Sequence, residues 1–132
     1  MSKILVIFAS CWERFSPHGD GIQCLWDPML AQSGREALAK LECQTARVIL
    51  MDMRLPAISG FGLAAILKKH PVYRNVPILA ATGSAGDIAG QRCLSAGCDD
   101  FISKPFAISV LERRLTNLVS AETPKTIVAT GR

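Results

Sequence analysis

The sequence predicts an α/β domain: a doubly wound five-stranded parallel sheet in (βα)5 order, with an irregular first helix and second strand. Three observations predict it. Apolar runs of strand length recur and are continuous rather than alternating, which is how strands covered on both faces read. Segments with apolar residues at helical spacing lie between them. The 132 residues allow one domain with a real core and not two comfortable ones. Strands that alternate with helices build an open parallel sheet.

The first strand is Ile4-Leu5-Val6-Ile7-Phe8-Ala9. Residues 11–30, CWERFSPHGDGIQCLWDPML, hold both tryptophans, and Pro17, Gly19 and Gly21 would break any long helix there. The first helix and second strand must come from this window, with Ile22–Leu25 and Met29–Ala31 its best material. Arg35–Leu41 puts Ala37, Leu38 and Leu41 on one helical face, and Val48–Met51 is the third strand. Gly60–His70 repeats the helical pattern with Leu63, Ile66 and Leu67, and Val76–Ala81 is the fourth strand. A helix over Gly83–Ala96 is weakened by Gly86 and Gly90. Phe101-Ile102 is a short fifth strand, and Ile108, Leu111, Leu115 and Leu118 stripe the last helix. From Ser120 to Arg132, with Pro124 and no apolar period, a flexible C-terminal tail is expected.

Composition narrows the function classes. No apolar run reaches the roughly 18 to 20 residues that span a bilayer, and no cleavage site follows the first strand, so a cytoplasmic location without membrane contact is expected. Cysteines 11, 24, 43, 93 and 98 are odd in number and form no C-x-x-C pair, which argues against a disulfide framework and a zinc site. The net charge of +4 comes without a Lys/Arg run, so nucleic acid is not an expected partner.

Functional groups in such sheets collect outside the carboxyl ends of the strands. Here those ends carry Asp52 after the third strand, Thr82 after the fourth and Lys104-Pro105 after the fifth. Taken singly, Asp52 reads as a turn former, Thr82 as a helix cap and Lys104 as a solvated lysine. An acid, a hydroxyl and an ammonium converging on one edge make a candidate site. His70 suits the helix C-terminus where it stands, and Cys93 and Cys98 read as packing residues.

The stretches VILMDMRLPAISGFGL, VPILAATGSA and SAGCDDFISKPF, together with AQSGREALAKL, resemble the receiver domain of two-component response regulators over about residues 31–119. The resemblance implies a flavodoxin-like fold and a receiver domain over 1–119. Its expected role is an interaction module and not an enzyme. It implies that Asp52 accepts a phosphoryl group from a histidine kinase or histidine phosphotransfer protein, while Thr82 and Lys104 hold phosphoryl oxygens. Phe101 matches the family's switch aromatic and Pro105 its cis-proline turn, so Thr82, Phe101 and Pro105 form the expected switch. Output to a downstream protein target is expected through the surface of the fourth helical segment, the fifth strand and the last helix. With 13 residues after Val119, no effector domain is expected and output is expected through protein contacts.

The same resemblance implies Mg²⁺, held by Asp52, the main-chain carbonyl of Arg54 and an acidic pair after the first strand. The sequence departs from the family at that pair. Phe8 and Ala9 stand in its place, or Ile7 and Phe8 with a slip of one, and neither register brings in an acid. A carboxylate is a competent nucleophile only where the incoming dianion is neutralised and held in line. Two unit charges about 4 Å apart interact by about 4 kcal/mol at an effective dielectric near 20, so a missing divalent ion is a large loss. Glu13 and Asp20 are the nearest acids in sequence.

Three readings follow: a receiver phosphorylated on Asp52, a pseudo-receiver that binds partners without phosphorylation, or a flavodoxin-like small-molecule binder. The last lacks a glycine-rich phosphate loop after the first strand, where Ser10-Cys11-Trp12-Glu13 stands. Residues 8–30 fit either divergence or a shifted reading frame.

Overall fold

Strand β1 (Ser2–Ile7) lies between β2 (Trp26–Ala31) and β3 (Val48–Asp52), and β4 (Ile78–Thr82) and β5 (Asp100–Ser103) complete an all-parallel sheet in the order β2-β1-β3-β4-β5. This is a computed structural model, and it describes residues 2–8, 26–55, 58–83, 87–104 and 106–131. Helices α1 (Gly34–Cys43), α2 (Gly60–Lys69), α3 (Asp87–Ser95) and α4 (Ile108–Gly131) alternate with the later strands. The window expected to hold the irregular first helix, which contains Glu13 and Asp20, lies outside the described residues up to residue 25, as do Ala9 and Pro105.

Each strand's continuous apolar run is divided between the two faces by the alternation of the pleat. Leu5, Ile7, Ile49, Met51, Ile78 and Ala80 pack on one side against Ala37 and Leu41 of α1, Leu63 and Leu67 of α2 and Cys93 of α3. Ile4, Val6, Val48, Leu50, Leu79 and Ala81 pack on the other side with Leu111 and Leu115 of α4. Both layers are buried, which is why the strands contain no polar alternation.

Local chemistry sets the helix starts. Ser33 caps α1 by accepting from the Glu36 N–H at 3.1 Å, while the Glu36 carboxylate reaches back to the Gln32 N–H. Ser59 caps α2 through the Gly62 N–H at 3.2 Å. The end of α3 is a Schellman turn. Gly97 at φ +111° donates to the Leu94 carbonyl, and Cys98 donates to the Cys93 carbonyl at 3.1 Å. That motif brings the third-last helical side chain against the second residue beyond the cap, and here both are cysteines, buried in one cluster.

Two segments differ from expectation. The second strand is complete from Trp26 to Ala31 in spite of Pro28, because β2 is an edge strand, where a missing N–H is tolerated. Residues 120–131, expected as a flexible tail, continue α4 as far as Gly131. Extending a helix that is already nucleated takes far less than starting one, and Leu111 and Leu115 anchor the preceding turns in the core.

Burial pushes the Cys98 thiol up to about 12 from 9.0, with smaller contributions from Cys93 and Asp99 that Lys68 opposes. Because the folded value is raised, folding keeps a proton that the unfolded chain loses between about pH 9 and 12. The stability contributed by this thiol is therefore intact below pH 9 and falls as pH rises through that window. Alkylation at neutral pH, read by peptide mapping, is expected to label exposed Cys43 quickly and Cys93 and Cys98 only on unfolding. Cys98 labelled as fast as Cys43 would contradict the packing.

Candidate functional site

In a sheet of this order the strand sequence reverses between β1 and β3, and the crevice beyond their carboxyl ends is where ligands bind in open α/β sheets. Asp52 is the last residue of β3 and sits on that crevice, 4% exposed. Its Oδ1 accepts two hydrogen bonds, from the Arg54 N–H at 3.0 Å and from Lys104 Nζ at 3.0 Å. The first is an Asx-type bond that folds the chain back as it leaves the strand. The second is an ion pair whose acid side chain is 6% exposed and whose lysine is 30% exposed.

Backbone contacts hold these side chains in place. The Lys104 N–H donates to the Thr82 carbonyl at 2.7 Å, so the residue after β5 is pinned to the end of β4. The Met53 N–H donates to the Ala81 carbonyl, and the Gly60 N–H to the Met53 carbonyl at 3.1 Å. A Cβ on Gly60 would stand 2.6 Å from Met53 Cα and 2.8 Å from the Asp52 carbonyl oxygen. Only glycine lets the start of α2 press this closely on the segment that carries Asp52.

Asp52, Thr82 and Lys104 are thus gathered at one edge, where the sequence places them. Thr82 is buried at 7% exposure. Phe101 is half-buried on β5, with its ring against Gly90 of α3, where a Cβ would come within 2.3 Å of the ring. Its backbone is braced as well. The Phe101 N–H donates to Asp100 Oδ1, and Arg114 of α4 donates both to the Asp100 carboxylate and to the Phe101 carbonyl.

Sequence reasoning assigned no role to Asp99, Asp100, Arg114, Lys68 or Gly60. The adjacent acids Asp99-Asp100 were the available signal, because acids next to each other at the start of a strand point to opposite sides and need separate partners. Asp99 takes Lys68 and Asp100 takes Arg114.

The residues present can be weighed against Mg²⁺. A small hard cation asks for near-octahedral oxygen ligands and is bound through one or two carboxylates together with water. In the β1–β3 register Ile7 faces Met51, so the next residue, Phe8, lies beside Asp52. Phe8 is 3% exposed and belongs to the core cluster of the α4 face. Lys104 Nζ is 5.7 Å from the centre of its ring. Among the described residues no group of three or more His, Cys, Asp or Glu side chains could hold a metal. Among the described residues, one carboxylate already paired with an ammonium, beside a phenyl ring, is a donor set that does not fit Mg²⁺.

Residues 26–116 match the family model described as response regulator receiver domain. The chain is 36% identical over 92 residues, 69% of its length, to hybrid signal transduction histidine kinase G of Dictyostelium discoideum, of which it spans 3%. It is 32% identical over 83 residues, 63% of its length, to the polar-differentiation response regulator DivK of Brucella ovis, spanning 68% of that protein. Its fold superposes on the chemotaxis response regulator CheY4 of Vibrio cholerae with a TM-score of 0.76 at 26% identity, covering 89% of this chain and 98% of that one. It spans 36% and 43% of two further regulators.

Proposed function

The chain belongs to the response regulator receiver domain family, and from that premise we propose that it takes a phosphoryl group on Asp52 from a histidine kinase or a histidine phosphotransfer protein. It then signals through contact with a downstream protein. The observation that carries the reading is the buried Asp52 at the switch point of the sheet, paired at 3.0 Å with Lys104.

Oδ1 of Asp52 is engaged by two donors, which leaves Oδ2 to attack phosphorus. The P–N bond of the phosphohistidine breaks, and the electron pair returns to the imidazole, which remains on the donor protein. As the dianion arrives, the Lys104 ammonium shifts from the carboxylate to a phosphoryl oxygen and the Thr82 hydroxyl donates to another. Phe101, held between α3 and α4, would carry the change to the α3–β5–α4 surface. The core contact of Leu118 and Val119 supports ending the receiver at Val119, with 120–132 as an extension. No described helix is long and apolar enough to cross a membrane, and the reduced thiols suit a cytoplasmic setting.

The test is transfer of labelled phosphoryl from a phosphorylated histidine phosphotransfer protein. Label is expected on the wild-type chain and not on Asp52→Asn, and equal label on the variant would remove the proposal.

The buried Phe8 in the position of the family's acids favours a second reading, a pseudo-receiver that binds its partner without phosphorylation. Under that reading Asp52→Ala leaves partner binding unchanged.

A further inference from the structure

We infer that this site is closed to divalent cations and that Lys104 is its resident counter-ion, with the ring of Phe8 as the wall behind it. The inference concerns the site of the proposed phosphoryl acceptor and adds how that site is charged.

Four observations converge on it. The Phe8 N–H is tied to the Ala31 carbonyl at 2.9 Å, so its backbone is pinned between β1 and β2. Its side chain is packed with Ile4, Val6, Leu50 and Leu115 in one cluster, so it cannot swing away without opening the core. The Lys104 backbone is fixed by the Thr82 carbonyl, and its ammonium has two attractions, Asp52 Oδ1 at 3.0 Å and the Phe8 ring at 5.7 Å. Finally, Oδ1 accepts from both Arg54 and Lys104, so a cation would have to evict the ammonium or settle on Oδ2 of the same carboxylate beside it.

The two kinds of cation need different surroundings. A primary ammonium is satisfied by one carboxylate oxygen and the face of an aromatic ring, both of which are strengthened by partial exclusion of water. A divalent hard ion gains nothing from a ring and is repelled by an ammonium on the same carboxylate. The substitution of phenylalanine for an acid therefore changes which cation the site selects, and does more than weaken one ligand. The state of Asp52 should then depend on Lys104 and be indifferent to Mg²⁺.

Water-proton relaxation with Mn²⁺ tests this without a phosphodonor. Wild-type protein is expected to show no saturable binding up to about 10 mM, ten times the weakest functional divalent sites at about 1 mM. In ¹³C spectra the Asp52 carboxyl resonance should stay in place when Mg²⁺ is added and move in Lys104→Met. Phe8→Asp is expected to gain saturable Mn²⁺ binding that Asp52→Asn abolishes. If Phe8→Asp does not fold, Phe8→Glu, whose longer stem fills more of the core space, is the second variant, with the same gain expected. Saturable wild-type binding at about 1 mM or tighter that disappears in Asp52→Asn overturns the inference. So does a folded acid-restored variant that binds nothing. Mn²⁺ binding by the wild type would sink this inference and leave the acceptor role of Asp52 standing. Failure of phosphotransfer to Asp52 would sink the acceptor role and leave the metal-free site standing.

Discussion

Lys104→Met is expected to destabilise the domain by about 2 to 3 kcal/mol, whereas Asp52→Asn should stay within about 1 kcal/mol of the wild type. The two halves of the ion pair differ because their burial differs, 6% exposed for the acid and 30% for the lysine. Without Lys104, a carboxylate shut away from water keeps, among the described residues, the Arg54 N–H as its hydrogen-bond donor. Breaking a fully buried pair in this way costs about 3 to 5 kcal/mol, and the partial exposure of Lys104 lets solvent screen some of that. Without the Asp52 charge, the lysine turns to water and an amide of the same shape accepts the Arg54 N–H. Urea unfolding midpoints of both variants measure the difference. Equal destabilisation would mean that Asp52 is better solvated than its position at the end of β3 implies.

The second large effect is expected at the opposite end of the sheet. Asp99 Oδ2 accepts from Lys68 Nζ at 3.0 Å and from the Ile78 N–H at 2.8 Å, and Lys68 also donates to the carbonyls of Val76 and Arg74. One carboxylate and one ammonium thus join α2, the loop into β4 and the turn into β5, and Gly97 fits against the Lys68 stem. Asp99→Ala removes the partner of a backbone donor at the start of β4 and strands a half-buried ammonium. A loss of about 3 kcal/mol is expected. Asp99→Asn, which keeps an acceptor for Ile78, should recover about half of it. Because the cluster lies at the amino ends of the strands, any folded fraction of either variant should keep its Asp52 chemistry. Calorimetric midpoints check the stability. An Asp99→Ala protein as stable as the wild type would show that the cluster is incidental.

The strands were legible because each is covered on both sides, so burial left no polar residue within the runs around Ile49 and Leu79. Asp52, Thr82 and Lys104 were legible for a related reason. Each stands at the point where such a run ends, so a polar residue there is conspicuous. Residues whose partners are distant in sequence were not legible. Lys68 and Asp99 are 31 positions apart, and nothing in the periodicity of α2 marks the lysine as half-buried. Gly60 looked like an ordinary helix start, and its necessity comes from the backbone of Met53 beneath it. The second strand was legible only as Met29–Ala31, because the sequence did not reveal that β2 would lie at an edge, where Pro28 is tolerated. The helix beyond Ser120 went unseen because it has no apolar stripe, and its conformation continues from the anchored turns before it. At Phe8 the sequence showed only that an acid was absent. The structure adds what the phenylalanine does there: it fills the core and walls the lysine that pairs with Asp52.

If Asp52 is a phosphoryl acceptor served by Lys104, incubating the folded chain with acetyl phosphate and mapping the added phosphoryl group by peptide mass should find it on Asp52. The rate is expected to be unchanged when chelator replaces Mg²⁺ and sharply reduced in Lys104→Met. A folded wild-type chain that carries no phosphoryl group on Asp52 under these conditions would contradict the acceptor role.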